Sequence, residues 1–542
     1  MRLFTGRRKP WSLVPTAFLF LLALSPSLAL LWQAPDMPLL GRFKDDTIYL
    51  ECARSLATGA GYRIPSLPGQ PFQTKYPPLW PLALSAVWRI NPGFPANLAL
   101  AGVFGWAAVP AYLALAWALF VRCGLHRAAA WLAVFVLAAS GQVLLFGATI
   151  MAELWASAAL LACFLAAERA RSGDHPDRRA LLAGVLAAVA YLIKSSALPL
   201  LVSLPLCFLL RRQYRRAALS FAPVFAAVAG WNLWARIHAA DSTDLLSLYN
   251  TSYLGYYLYG LTWHDFLRMV WVNLRALYSG LCGLFLPGVG NSLFETVLSI
   301  VAIGAAVSGA VRFGRRTGCW QYPIFAIGFL VQLLVWNFPP SSRLLFPLLP
   351  LLLAGIATEI ANALRPPDRN CPERRLTRAV SLVTAGLLVP VCLIVGIASY
   401  GAVFHSLPGL LAECRRETAD KRSAYAWISA HTPLTAGILA DDDELLHLYT
   451  GRTAAPQILP AALLYGGPEE AIRNRMRSLP AYARAHHLDY VLLTSTDLAR
   501  ANLERFRPLV KETMSGAPGF VRVYRSDQAE IYRDEAAARS LR

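Results

Sequence analysis

Charge is scarce in this chain of 542 residues: 15% are Asp, Glu, Lys or Arg, against 56% hydrophobic, and the mean hydropathy is +0.44. That balance excludes an ordinary soluble protein and leaves a polytopic membrane protein. The nine cysteines are scattered, with no CxxC pair and no clustering with histidine, so they imply no metal framework. Only Cys52, Cys282 and Cys414 are placed to meet an oxidising exterior. There is no GxGxxG or Walker loop to cradle a nucleotide, and no tandem repeat or low-complexity tract. The net charge of +19 does not point to nucleic acid, because from His405 onward 18 Lys/Arg meet 17 Asp/Glu and the excess lies among the apolar runs.

Those runs are the chain's main content. A helix needs about 20 apolar residues to cross a hydrocarbon core of roughly 30 Å, and eleven candidate spans are found. They are Trp11 to Leu31, Asn97 to Val121, Ala128 to Ala148, Ala152 to Ala167, Ala180 to Lys194, Ala197 to Leu210, Ala217 to Ala235, Ser292 to Val311, Trp320 to Asn337, Leu344 to Leu364 and Val380 to His405. The Ala180 to Leu210 hairpin has short arms, with Lys194 near its tip. The first run has the basic start of a signal peptide but lacks a small-residue cleavage site before Trp32, so it is expected to be a retained helix.

Cytoplasmic loops retain Lys and Arg. The clusters Arg2/Arg7/Arg8/Lys9, Arg122/Arg127, Arg169/Arg171/Arg178/Arg179, Arg211/Arg212/Arg215/Arg216, Arg312/Arg315/Arg316 and Arg365/Arg369/Arg374/Arg375/Arg378 alternate with loops poor in basic residues. This predicts a cytoplasmic amino terminus, with the first loop (about 33–96), Tyr249 to His264, Pro339 to Arg343 and the carboxyl-terminal region outside. The sequence therefore divides into a transmembrane domain, 1–404, and a small extracytoplasmic α/β domain, 405–542. In the latter, short β-like runs (Gly437 to Ala440, Tyr490 to Leu493, Phe520 to Tyr524, Glu530 to Tyr532) alternate with helical stretches (Glu413 to Ala430, Glu469 to His487). Asp441-Asp442-Asp443-Glu444 invites comparison with a metal-binding DxD, but acids also favour the positive end of the helix that Glu444 opens.

Chemistry concentrates in the first loop. Asp46 to Thr58 reads as a short helix lying along the membrane surface, with Tyr49, Cys52, Ala53 and Leu56 on an apolar stripe and Gly59 as its stop. Asp45 and Asp46 sit at its amino end, where the helix dipole favours the ionised form. An ionised carboxylate can take a proton from an attacking hydroxyl. Adjacent helical residues point about 100° apart, so one of the two faces the reacting centre; as a structural reading, the pair simply caps the helix. Lys75, beside the stiff Pro77-Pro78 step, is set at headgroup depth, suited to a lipid phosphate or to interfacial anchoring.

Asp45-Asp46-x-x-Tyr49-x-x-x-Ala53-Arg54-x-Leu56-x-x-Gly59, followed by Lys75-x-Pro77-Pro78-Leu79, resembles the first extracytoplasmic loop of the GT-C glycosyltransferases. The likeness is to the family of lipid A aminoarabinose transferases and protein O-mannosyltransferases, which take a sugar from a polyprenyl-phosphate carrier. The resemblance implies a GT-C fold, with Asp45 as catalytic carboxylate, Asp46 beside it and Lys75 as the phosphate-binding lysine. Tyr76 separates that lysine from the prolines, where close relatives have them adjacent. Glu153, where a later span leaves the outer surface, matches a second acidic position, and Arg343, before Pro347 to Pro350, matches an arginine that binds phosphate or anchors the interface.

The resemblance implies a polyprenyl-phosphate sugar as donor, a lipid, glycan or protein acceptor, and no nucleic acid. Tyr49 and Tyr76 are the other site candidates. No cofactor is required, and a divalent ion between Asp45 and Glu153 is left open. The alternatives are a flippase-like transporter and a non-catalytic envelope polysaccharide assembly protein.

Overall fold

The computed structural model describes residues 13–172, 174–240, 244–285, 293–363, 373–499 and 502–535. The basic residues Arg2, Arg7, Arg8, Lys9, Arg365 and Arg369, and the span ends at Trp11, Ser292 and Leu364, lie outside them. Helices dominate as far as His431. They run α1 (Leu13–Gln33), α2 (Lys44–Ala57), α3 (Leu79–Ile90), α4 (Leu98–Trp106), α5 (Ala108–Arg122), α6 (Arg127–Ala138), α7 (Gly141–Gly147), α8 (Glu153–Ser172), α9 (Pro176–Ile193), α10 (Leu200–Leu209) and α11 (Tyr214–Ile237). After the short α12 (Leu245–Thr251) and α13 (Tyr253–Leu258) come α14 (Trp263–Phe285), α15 (Leu293–Thr317), α16 (Gln321–Leu334), α17 (Ser342–Leu345), α18 (Leu349–Ala363), α19 (Glu373–His405) and α20 (Leu407–His431).

Among the described residues, five segments are long and apolar enough to cross a bilayer: Pro15–Gln33, Leu98–Arg122, Tyr214–Ile237, Thr296–Thr317 and Ser342–Ala363. A sixth forms if α6 and α7, bent by 63°, count as one. The other expected crossings are helical too: α10 holds ten residues and α16 fourteen, while α8, α9 and α19, with 20, 18 and 33, are long enough but are not among the segments that are also sufficiently apolar. Lipid-spanning helices cannot be driven together by apolar burial, so close backbone approach takes its place. At Gly184 a Cβ would come within 2.5 Å of the Ser220 carbonyl oxygen, which is how α9 and α11 pack. Gly309 and Gly355 let α15 and α18 cross in the same way.

The carboxyl-terminal region carries a five-stranded sheet of order β2-β1-β3-β5-β4. Its strands are β1 (Gly437–Leu439), β2 (Thr453–Ala455), β3 (Tyr490–Thr494), β4 (Phe520–Arg525) and β5 (Ala529–Asp534). β1 is parallel to β2 and β3, while β5 is antiparallel to β3 and β4. Between β1 and β2 lies α21 (Asp443–Thr450). β2, at the sheet edge, has no counterpart among the predicted runs, being only three residues of Thr and Ala. α14 was not anticipated either: its 23 residues alternate Arg268, Asn273 and Arg275 with apolar positions, so no uniform apolar window marks it.

The first-loop helix forms where the sequence places it, and Gly59 ends it at φ +78°. It is not a surface helix. Asp46 through Ala53 are all buried, because the rest of the first loop and the carboxyl-terminal region cover it.

Candidate functional site

α2 delivers Asp45 to a cavity of about 360 Å3 that is also lined by Tyr49, Lys75, Tyr76, Glu153, Lys194, Tyr249, Tyr253, Trp336 and Arg343. Six segments of the chain, from residues 42 to 347, meet there. Glu153 opens α8, Lys194 ends α9, and Arg343 stands on the single turn α17 before the proline-bearing turn into α18. The Pro77-Pro78 step starts α3 and leaves Lys75 and Tyr76 facing α12 and α13. Gln73 fixes that segment, its side-chain oxygen accepting from the Lys75 and Tyr76 backbone N–H at 2.9 and 3.2 Å.

The polar centre is a chain of opposite charges. The Arg343 guanidinium donates to Asp45 and, through Nε at 2.9 Å, to Glu153 Oε1. Lys194 Nζ donates to the same Glu153 oxygen at 2.9 Å, and Tyr76 donates its hydroxyl to Asp45 Oδ1 at 2.7 Å. Burial alone would push the Asp45 carboxyl up; Arg343, Lys194, the Tyr76 hydroxyl and Lys75 outweigh it and hold the group well below the usual carboxylate range. Arg343 therefore stands between the two carboxylates where the sequence left room for a divalent ion. Among the described residues no three His, Cys, Asp or Glu side chains come together as metal ligands.

Lys75 is held differently. Its ammonium donates to the Tyr249 carbonyl at 2.7 Å and lies over the rings of Tyr249, Tyr253 and Tyr76, 4.5, 5.0 and 5.4 Å from their centroids. Burial lowers its pKa to about 8, with Asp45 raising it and Lys44 lowering it further. A cation retained by ring faces and one carbonyl, rather than by its own carboxylate, keeps N–H donors available for an incoming anion.

Of the residues the sequence singled out, Asp45, Tyr49, Lys75, Tyr76, Glu153 and Arg343 all line this cavity. Asp46 does not. It is fully buried, and its carboxylate accepts from the backbone N–H of Gly41 and Thr47 at 3.3 and 2.9 Å, so it fastens the loop that enters α2 rather than facing the reacting centre. Lys194 was missed as a site residue, although a single charge interrupting an apolar hairpin was its signal. Tyr249, Tyr253 and Trp336 carried none, since aromatics at a membrane interface are commonplace.

No family model matches the chain, and no curated protein matches it in sequence. Solved structures do. ArnT from Cupriavidus metallidurans bound to undecaprenyl phosphate aligns with a TM-score of 0.53 and 13% identity, over 95% of this chain and 97% of that one. The Archaeoglobus fulgidus oligosaccharyltransferase in complex with Zn and sulfate aligns at 0.51 and 13%, over 90% and 68%. The oligosaccharyltransferase AglB of the same organism, in complex with an inhibitory peptide and a dolichol-phosphate, aligns at 0.50 and 13%, over 94% and 74%. These are GT-C glycosyltransferases, and the chain has their fold. A shared fold hosts many chemistries, so what this chain does is argued from its own residues.

Proposed function

We propose that the protein is an integral-membrane glycosyltransferase that moves a sugar from a polyprenyl-phosphate donor to a hydroxyl of a lipid, glycan or protein acceptor at the outer face of the membrane. The observation that carries this reading is the charge balance of the cavity. Two carboxylates, Asp45 and Glu153, face three cations, Lys75, Lys194 and Arg343, leaving one positive charge in excess; of the two other cations along the wall, Lys44 is paired with Asp443 and Glu444 and Arg42 is exposed. A phosphodiester-linked sugar brings one negative charge and would neutralise it. Both ArnT and AglB were solved with a polyprenyl-type phosphate, which agrees with such a donor.

In this reading the acceptor oxygen forms a bond to the anomeric carbon as the bond from that carbon to the phosphate oxygen breaks, inverting the centre. The electron pair leaves on the phosphate, and Lys75 and Arg343 meet the added charge. The acceptor proton passes to Asp45. A carboxylate held so far down is a weak base. Its basicity rises as the Arg343 charge is drawn toward the leaving phosphate, which ties proton removal to bond cleavage. Glu153 keeps Arg343 and Lys194 in place, and no step is assigned to a metal.

The test is Asp45→Asn in the purified protein. Turnover is expected to fall at least ~100-fold, the scale of a lost general base, with folded yield unchanged; normal turnover would sink the assignment. The same variant separates this function from a transporter or a scaffold, neither of which needs that carboxylate. Mass spectrometry of envelope glycans in a deletion strain would name the sugar and acceptor.

A further inference from the structure

The cavity wall holds a largely buried cation that the reading above leaves unused. Lys44 opens α2 beside Asp45 and lines the same cavity, yet its ammonium is already engaged. Asp443 Oδ1 lies 2.7 Å and Glu444 Oε1 3.3 Å from its Nζ. Both acids come from the first turn of α21 in the carboxyl-terminal region, and their side chains are 0% and 2% exposed. A buried pair of this kind is costly to break, because it strands a charge away from water.

The contact around this pair is continuous. Seven residues along α2, on the face that carries Lys44, Glu51 turns toward the same helix and sits 3.8 Å from His447 Nε2. Burial, with Glu444 and Asp443 opposite, holds the Glu51 carboxyl well above its usual range. Ala454 in β2 donates its N–H to the Ser66 carbonyl at 2.7 Å, joining the sheet edge to the first loop. Leu445 packs over Gly41, where a Cβ would meet its side chain at 3.3 Å and the backbone is at φ +84°.

Lys44 also acts on Lys75. The two ammonium groups lie against the same Tyr249 ring, 5.4 and 4.5 Å from its centroid, so they are at most about 10 Å apart. At that separation, near a protein surface, an uncompensated charge on one depresses the other by on the order of one pH unit.

We propose that Asp443 and Glu444 are positioning residues of the active site: by clamping Lys44 they fix the first turn of α2, so that Asp45 faces the cavity, and they cancel a positive charge next to Lys75. The proposal rests on the donor reading of Lys75 given above. It assigns the Asp441 to Glu444 run a task other than metal binding, and it makes the carboxyl-terminal region a working part of a cavity whose described lining residues all precede it.

The experiment measures binding of undecaprenyl phosphate to the full-length protein across pH, together with amide exchange in residues Lys44 to Thr47. The charged groups facing Lys75 are Asp45 and Lys44 from α2 and Glu444 from α21, and the tyrosines around it are Tyr76, Tyr249 and Tyr253. In the wild type, binding is expected to weaken as pH rises through about 8. In Asp443→Asn/Glu444→Gln this limb should move to lower pH by on the order of one unit, with faster exchange in the first turn of α2. Lys44→Arg alone, with both acids intact, keeps the charge and the clamp and should retain the wild-type limb. Glu444→Gln alone keeps the 2.7 Å contact and serves if the double variant does not fold; it should give a smaller shift of the same sign. A limb present in the wild type and unmoved in a folded variant overturns the proposal and leaves the donor reading standing. No limb in the wild type overturns both.

Discussion

Replacing Lys75 by Met tests the proposed donor site most directly, because it removes the ammonium and keeps an apolar stem inside the tyrosine cage. A hydrogen bond from a charged donor to phosphate is worth about 1.5–3 kcal/mol net, a factor of roughly 10–150 in affinity. The structure argues for the lower part of that range. Lys75 must share or give up its 2.7 Å bond to the Tyr249 carbonyl when the phosphate arrives, so part of the gain is already spent in the empty protein. The Michaelis constant for the lipid donor should therefore rise about 10- to 30-fold, with little change for the acceptor. The pH dependence has a fixed sign. Lys75 titrates at about 8, below its ordinary 10.5, so the cation is present below that pH and donor affinity is lost as pH rises through it. Stability runs the other way. A lysine with a depressed folded-state pKa opposes folding in full below about 8, and the opposition fades as pH approaches 10.5, so the Met variant should be at least as heat-stable as the wild type at neutral pH. Steady-state kinetics with each substrate varied in turn, on both sides of pH 8, supply the readout. An effect confined to the acceptor, or a wild-type donor constant that stays flat through pH 8, would refute the reasoning.

Asp46→Asn should lower the melting temperature by a few degrees while leaving turnover within a few-fold of wild type, since Asn keeps one acceptor for the Gly41 or Thr47 N–H and the side chain does not reach the cavity; calorimetry and a turnover assay check both halves. A reporter fused after Arg542 should report the extracytoplasmic side and one inserted at Arg212 the cytoplasm, and a cytosolic carboxyl terminus would bring Asp441 to Glu444 into competition as a nucleotide-sugar site.

How much of this was legible beforehand follows from the kind of signal each feature leaves. α2 was readable because local rules make it: two acids at its start, a stripe at helical spacing, a glycine at its end. The strands β1, β3, β4 and β5 were legible for the same reason. The burial of α2 was not, since what covers it lies some 400 residues away, at Asp443 and Glu444. The link between Asp45, Glu153 and Arg343 spans up to 298 positions, so no local pattern states it, and each residue alone has an ordinary structural explanation. Resemblance to a family brought them onto one list. Lys194 stayed off that list because a lysine near a hairpin tip looks like an interfacial anchor until Glu153 is placed beside it.

Lys44, Asp45 and Asp46 show how a single helical turn can serve a site that must hold its geometry against strong fields. Successive helical residues diverge by about 100°, so three in a row reach three different surroundings: Lys44 the carboxyl-terminal region, Asp45 the cavity, Asp46 the Gly41 loop. Asp45 is pulled by Arg343 and Tyr76 on the cavity side. Without fixed neighbours the turn would be free to follow that pull and turn the carboxylate wholly toward Arg343 and Tyr76, at the expense of contact with an acceptor. Tethers on both flanks oppose this: on one side the ion pair of Lys44 with buried acids, on the other the buried Asp46 carboxyl held by backbone N–H groups, where side-chain movement is costly. The adjacent acids of the first loop are therefore unequal: one faces the cavity, where the proposed chemistry would take place, and the other fastens the turn that carries it.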